Sequence, residues 1–185
     1  MASRLIQNPA LLNTVPALQT VGNPAPVQIA LSASTSSVTL SPLPLASNLR
    51  ISVMSRLLGA TGIGTVFIRC NSNTGANYDG LILATTGSTA TGSIAYAQTS
   101  GTIGVFPANS AATGNAGHAQ ILIAGVNAPF YKPIHVMCSH ASSGSDGRVT
   151  ISQLTFRSTG SISSINFASA DGDFATGSVF TVTAM

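Results

Sequence analysis

The sequence predicts an all-β protein: a β-sandwich of jelly-roll type preceded by an extended, proline-rich N-terminal arm. Charge is scarce, with seven basic and four acidic residues among 185, whereas soluble domains usually carry roughly 25% charged residues. Glutamate is absent and Lys132 is the single lysine, so the usual residues of exposed helix faces are missing. Ser, Thr, Asn and Gly replace them and disfavour helix interiors. Short alternating runs bounded by Gly, Ser, Asn or Pro complete the prediction, because this rhythm is typical of strands.

Residues 1 to 47 are predicted to form the arm, because proline favours extended backbone. Six of the nine prolines lie in this segment: Pro9, Pro16, Pro24, Pro26, Pro42 and Pro44. Apolar residues between them are expected to contact a neighbouring subunit or shell: Leu5, Ile6, Leu11, Leu12, Val15 and Leu18. The alternative is a disordered tail, although such tails are usually poor in apolar residues.

Residues 48 to 185 are predicted to form the sandwich. In NLRISVMSR, Leu49, Ile51 and Val53 alternate with residues of the opposite parity, and TVFIRC shows the same period of two. Eight further runs follow in order: LILAT, GSIAYAQT, GTIGVF, AQILIAG, PIHVMCSH, RVTISQLTF, ISSINFA and SVFTVTA. In RVTISQLTF the apolar residues change parity, which predicts a β-bulge near Ser152 or Gln153.

Composition also bears on the class of partner. The net charge is +3, but the arginines are spread along the chain, whereas nucleic-acid binding needs a dense basic face. No apolar run approaches the roughly 20 residues of a membrane span. Gln7, Asn8 and Pro9 interrupt the only stretch that resembles a signal peptide. A surface with so little charge is expected to be covered by other subunits, so the sequence favours a component of an assembly.

No motif predicts catalysis, a cofactor or a metal. GATGIG, residues 59 to 64, is followed by a strand instead of the helix that a phosphate loop requires. Cys138 and His140 share one face of a predicted strand while His135 lies on the other, so too few ligands converge for zinc. Asp171 and Asp173 read as a solvated turn without the further oxygen ligands of a calcium loop. We therefore predict a protein that is not an enzyme.

The stretch IRCNSNTGANYDG, residues 68 to 80, predicts a structural corner between two strands. Asn71, Asn73 and Asn77 suit turn conformations, and Gly75 is able to adopt a positive φ. Tyr78 is expected to bury its ring and to direct its hydroxyl back to the loop backbone. The alternative interpretation of this stretch is a ligand-binding loop.

This corner resembles a recurrent pattern of bacteriophage virion proteins, in which a strand ends in an Arg-Phe-Asn-like stretch before a polar turn and an Asn-Tyr pair. Here Arg69, Cys70 and Asn71 precede Asn77 and Tyr78, and Cys70 stands where the pattern has an aromatic residue. The closing segment SISSINFASADGDFATGSVFTV, residues 161 to 182, is similar to the end of such proteins. The resemblance covers residues 48 to 185.

The resemblance implies a non-enzymatic structural protein of the virion. The leading hypothesis is a capsid decoration, or cement, protein that bridges coat subunits, with the major capsid protein or another virion protein as partner. Proteins of this type commonly occupy three-fold positions, which implies a homotrimer. The alternative is a tail, fibre or spike component that binds a receptor or a glycan.

Overall fold

The computed structural model describes residues 25–59, 62–108, 114–141 and 147–185, and within these ranges the chain forms strands and no helix. This confirms the predicted all-β class, and each of the ten predicted runs contains a strand. The strands are β1 Val27–Ala30, β2 Ser37–Leu40, β3 Leu49–Ser55, β4 Leu57–Leu58, β5 Ile63–Cys70, β6 Tyr78–Thr86, β7 Thr89–Gln98, β8 Gly101–Pro107, β9 Gly117–Ile123, β10 Lys132–Ala141, β11 Gly147–Phe156, β12 Ile165–Ser169, β13 Asp173–Phe174 and β14 Val179–Ala184.

The strands form a wide and a narrow antiparallel sheet that pack into a jelly roll. The wide sheet has the order β1-β14-β3-β9-β10-β11-β6-β7, the narrow sheet has the order β2-β12-β5-β8, and β4 pairs with β13. Eight strands, β1, β2, β3, β5, β8, β9, β12 and β14, make two layers of four. Counted along the chain, their orders are 1-8-3-6 and 2-7-4-5, which is the strand order of a jelly roll.

Two inserted hairpins widen one sheet of this jelly roll. The β6–β7 hairpin lies between β5 and β8 in the chain, and the β10–β11 hairpin lies between β9 and β12. Both join the wide sheet beyond β9, with β11 pairing to β6. Since the narrow sheet has only four strands, the far end of the wide sheet extends beyond it.

The core lies between the sheets, because strand alternation sends every second side chain inward. In β3, β5 and β9 the inward residues are buried while their neighbours are more exposed. Three phenylalanines close one part of the core: the Phe167 and Phe180 rings lie 5.4 Å apart, and Phe174 meets Phe180 edge-on at 5.2 Å. β8 packs against β9, β10 and β11 and so joins the narrow sheet to the inserted hairpin.

The predicted boundary of the arm at residue 47 is wrong. β1 pairs with β14 and β2 pairs with β12, so both strands belong to the sandwich. The prolines did not prevent this, because Pro26 precedes β1 and Pro42 follows β2, outside the hydrogen-bonded ladders. The predicted arm contacts, Leu5, Ile6, Leu11, Leu12, Val15 and Leu18, lie outside the described residues.

The predicted bulge in RVTISQLTF is also wrong. β11 pairs with β10 in one uninterrupted register from Gly147 to Phe156. Leu154 and Phe156 point into the core, whereas Val149 and Ile151 lie exposed on the opposite face of the same regular strand. The change of parity thus marks apolar residues on the outside of the sheet.

Candidate functional site

The corner after β5 is a tight turn in which two successive residues adopt the left-handed backbone conformation. Asn71 and Ser72 have φ values of 54° and 53°, and the Asn73 amide donates to the Cys70 carbonyl at 3.0 Å. Asparagine tolerates this left-handed region because its short polar side chain bonds locally. The corner reverses the chain so that β6 leaves toward the other sheet.

Asn71 connects the corner to the distant segment 161–164. Its side-chain amide donates to the Ser161 carbonyl at 2.8 Å. Its side-chain oxygen accepts from the Ser163 amide at 2.8 Å, the Ser163 hydroxyl at 3.2 Å and the Ser164 amide at 3.2 Å. The two segments that carry the resemblance to virion proteins therefore meet in space, and β12 continues this contact by pairing with β5.

Asn73 and Asn77 close the second half of the corner. The Asn73 side-chain oxygen accepts from the Gly75 amide at 2.9 Å and from the Asn77 side-chain amide at 3.1 Å. Gly75 is not among the residues with positive φ, contrary to the expectation from the sequence. Space is the reason for glycine here, because an added Cβ would lie 2.9 Å from the Asn77 side-chain nitrogen.

Tyr78 joins the corner to the core. Its ring is buried, with 1% of its surface exposed, and it stacks on Phe156 at a centroid distance of 5.0 Å. Its hydroxyl accepts a hydrogen bond from the Cys70 amide at 2.7 Å. The β5–β8 ladder ends at Ile68, so the hydroxyl serves an amide for which that ladder supplies no carbonyl. Burial raises the pKa of the Tyr78 hydroxyl above its usual value, which keeps it protonated.

Sequence reasoning missed the role of Lys132. This residue is fully buried, and its ammonium donates to the carbonyls of Ala128, Phe130 and Ser158. Burial lowers the pKa of Lys132 from its ordinary value. Lys132 therefore ties the loop between β9 and β10 to the chain after β11. The one available signal was that the single lysine begins a strand otherwise rich in apolar residues.

Cys138 and Asp171, two candidate ligands in the sequence, have structural contacts. The Cys138 thiol is buried and donates to the Val105 carbonyl at 3.5 Å, and burial raises the pKa values of Cys70 and Cys138 to about 12. Asp171 accepts a hydrogen bond from the Thr65 amide at 2.7 Å. Among the described residues, no three His, Cys, Asp or Glu side chains are grouped as metal ligands would be.

The outer face of the wide sheet, which points away from the narrow sheet, carries an apolar surface. We define the outer patch as the exposed aliphatic and methionine residues of β10, β11, β6 and β7 on this face: Met137, Val149, Ile151, Leu81, Leu83 and Ile94. Pairing aligns them across strands, with Met137 opposite Ile151, Ile151 opposite Leu83, and Leu81 opposite Ile94. The patch is therefore contiguous and not a scatter of single exposed residues.

A shallow concavity of about 360 Å³ adjoins the outer patch. Its lining includes Leu122, Met137 and Met185 together with the polar side chains of Arg50 and His135. Charge is otherwise rare here, since the sequence contains no Asp, Glu, Lys or Arg between Gly80 and Tyr131. The surface is therefore mainly apolar with a polar margin.

Comparison with protein families found no model that matches this chain, and comparison with curated proteins found no significant match. Within the described ranges, the structure contains no helix long and apolar enough to cross a membrane. The features that bear on function are therefore the geometric ones: a hydrogen-bonded corner, an apolar outer patch and a sheet that extends past its covering layer.

Proposed function

We propose that this protein is a non-enzymatic structural subunit of a bacteriophage particle, a capsid decoration or cement protein that attaches through the outer face of its wide sheet. The observation that carries the proposal is the outer patch, where six large apolar side chains lie exposed on neighbouring strands. Such a surface is stable in water only at a cost, and that cost is removed when a partner covers it.

The size of the effect supports attachment by burial. Covering a Leu, Ile, Val or Met side chain contributes about 1.5–3 kcal/mol. The six residues of the outer patch are only partly exposed, so together they contribute several kcal/mol at most. That contribution offsets a part of the association cost, which is about 4–15 kcal/mol. Attachment therefore needs further contacts, and many copies on an ordered shell would provide them.

Residue patterns also support the virion assignment. The two segments that resemble phage virion proteins, residues 69–78 and 161–182, are joined in this fold through Asn71 and through the pairing of β12 with β5. A resemblance formed by two segments that pack together is more informative than one formed by unrelated pieces. The homotrimer and the coat-protein partner that the resemblance implies belong to this proposal.

The test is binding of the purified protein to phage heads that lack it, with intact host cells as the competing target. We expect binding to heads and a loss of at least tenfold in Met137→Lys, because a charge would be buried in the contact. The control is Leu45→Lys, since Leu45 is a highly exposed apolar residue in the loop between β2 and β3, away from the outer patch. Binding to host cells but not to heads would refute the decoration role and favour the tail, fibre or spike alternative.

A further inference from the structure

The last strand of the wide sheet, β7, is uncovered on both faces and along one edge. Nine of its ten residues are exposed, and Ala95 is partly exposed. It ends the sheet order, so among the described residues β6 is its single strand partner. An unpaired strand edge presents a row of free amide and carbonyl groups, which is a template for pairing with another chain.

The other sheet edges of the described structure are protected in ways that β7 is not. β1 and β2 have four residues each, and short edge strands pair poorly. β8 is mostly buried and ends at Pro107. By contrast, β7 has ten residues, TATGSIAYAQ, with no proline and no charged residue. Its one irregularity is a register shift against β6 between Ala95 and Gln98, which leaves Thr89 to Ile94 as a regular, uncharged edge.

The hairpin turn determines which backbone groups of β7 are free. Gly87 and Ser88 connect the paired residues Thr86 and Thr89, and Gly87 has φ 57°. In a two-residue hairpin the flanking pair is hydrogen bonded, and the pattern then alternates along the strands. Ala90, Gly92 and Ile94 consequently direct their amides and carbonyls away from β6.

We propose that β7 pairs antiparallel with β7 of a second copy of this chain, with Ile94 of each copy on the twofold axis. The absence of charge makes the strand compatible with itself, because no like charges oppose each other. This register also places Tyr96 of one copy opposite Gly92 of the other, where the side chain of Leu83 already lies close to the glycine. The Tyr96 ring would then cover the strand at the glycine and pack against Leu83.

The proposed contact is small, and this determines how it is expected to behave. Ten residues of strand extend about 34 Å. Because the Tyr96 carbonyl already accepts a hydrogen bond from the Gln98 side-chain amide, the pairs centred on Ile94 supply about four backbone hydrogen bonds. Contacts of this size belong to the weak, reversible class. The contact joins two copies, so it is separate from a threefold contact and does not depend on the proposed virion function.

Cross-linking tests the register directly. Ile94→Cys places two thiols on the twofold axis, where opposed residues of a hydrogen-bonded pair lie about 5.5 Å apart, within the range of a disulfide. The native cysteines, Cys70 and Cys138, are buried. We expect mild oxidation to give a covalent dimer with Ile94→Cys and none with Met137→Cys, whose parent side chain has the same exposure, 62%, on the interior strand β10. A dimer with Met137→Cys alone would overturn the proposal and indicate packing face to face.

Sedimentation of the uncross-linked protein, from micromolar to near-millimolar concentration, is the second measurement. We expect reversible pairing that Ile94→Lys weakens by about tenfold or more, because two like charges would then oppose each other. Met137→Lys is expected to pair as the wild type does. Equal association of Ile94→Lys and wild type, or no association of the wild type at any concentration, would overturn the proposal. Failure of head binding with intact pairing would refute the proposed function alone.

Discussion

Replacing Tyr78 by Phe isolates one hydrogen bond of the corner. The ring would keep its burial and its 5.0 Å stacking on Phe156, while the Cys70 amide would lose the acceptor that lies 2.7 Å away. Leaving a buried donor unpaired costs about 1–3 kcal/mol. For a domain of this size, 1 kcal/mol corresponds to about 2–4 °C in melting temperature. We therefore expect Tyr78→Phe to melt about 2–12 °C below the wild type.

Tyr78→Ala removes the ring as well and is expected to destabilise the fold by about 3–5 kcal/mol. The matched control is Tyr96→Phe, because Tyr96 is exposed on β7 and loses only a solvated hydroxyl; its stability should change by less than about 0.5 kcal/mol. Thermal and urea unfolding measure all three variants. If Tyr78→Phe unfolded like Tyr96→Phe, the corner would not be a stabilising device. An unchanged melting temperature combined with lost partner binding would make it a ligand loop.

Three further predictions concern other parts of the molecule. Burial raises the pKa of Cys70 and Cys138 from 9.0 to about 12, so their contribution to stability is present below pH 9 and is lost as the pH rises from 9 toward 12. Ionisation of each thiol in the unfolded chain should lower the free energy of unfolding by about 1 kcal/mol between pH 9 and pH 10, and urea unfolding of the double Cys→Ala variant should show a weaker pH dependence. Lys132→Met removes the charged donor of three part-buried carbonyls and should cost about 1.5–3 kcal/mol in urea unfolding; a neutral effect would contradict the role of Lys132 as a tie. Deleting residues 1–24, and not the paired strand β1, should preserve the melting temperature while weakening attachment to phage heads, and full attachment would refute an anchoring role of the arm.

The local pattern of apolar residues was sufficient to predict where most strands lie, because inward-facing and outward-facing residues alternate along a strand. Leu49, Ile51 and Val53 were predicted to share one face, and all three are buried. The same rule failed for Val149 and Ile151, since alternation assigns residues to faces without saying which face is covered. Exposed apolar residues on the outer face of a sheet therefore look the same in sequence as core residues, and a regular strand was interpreted as a bulged one.

Which strands pair with each other could not be predicted from the local pattern. β1 and β2 are four-residue segments whose pairing with β14 and β12 joins residues more than 120 positions apart. Within the corner, the polar turn residues were predicted from their types. The contacts of Asn71 with residues 161–164 and of Lys132 with Ser158 depend on chain segments that only folding brings together.

The sequence by itself determined the all-β class, ten of the strands and a surface almost without charge, because composition and alternation act within a few neighbouring residues. Only the tertiary structure decided that two hairpins widen one sheet past the other. That choice depends on which strand edges pair, and edge pairing is set by contacts between segments distant in the chain. It leaves the outer patch and the edge of β7 exposed, and those two surfaces carry the interactions proposed for this protein.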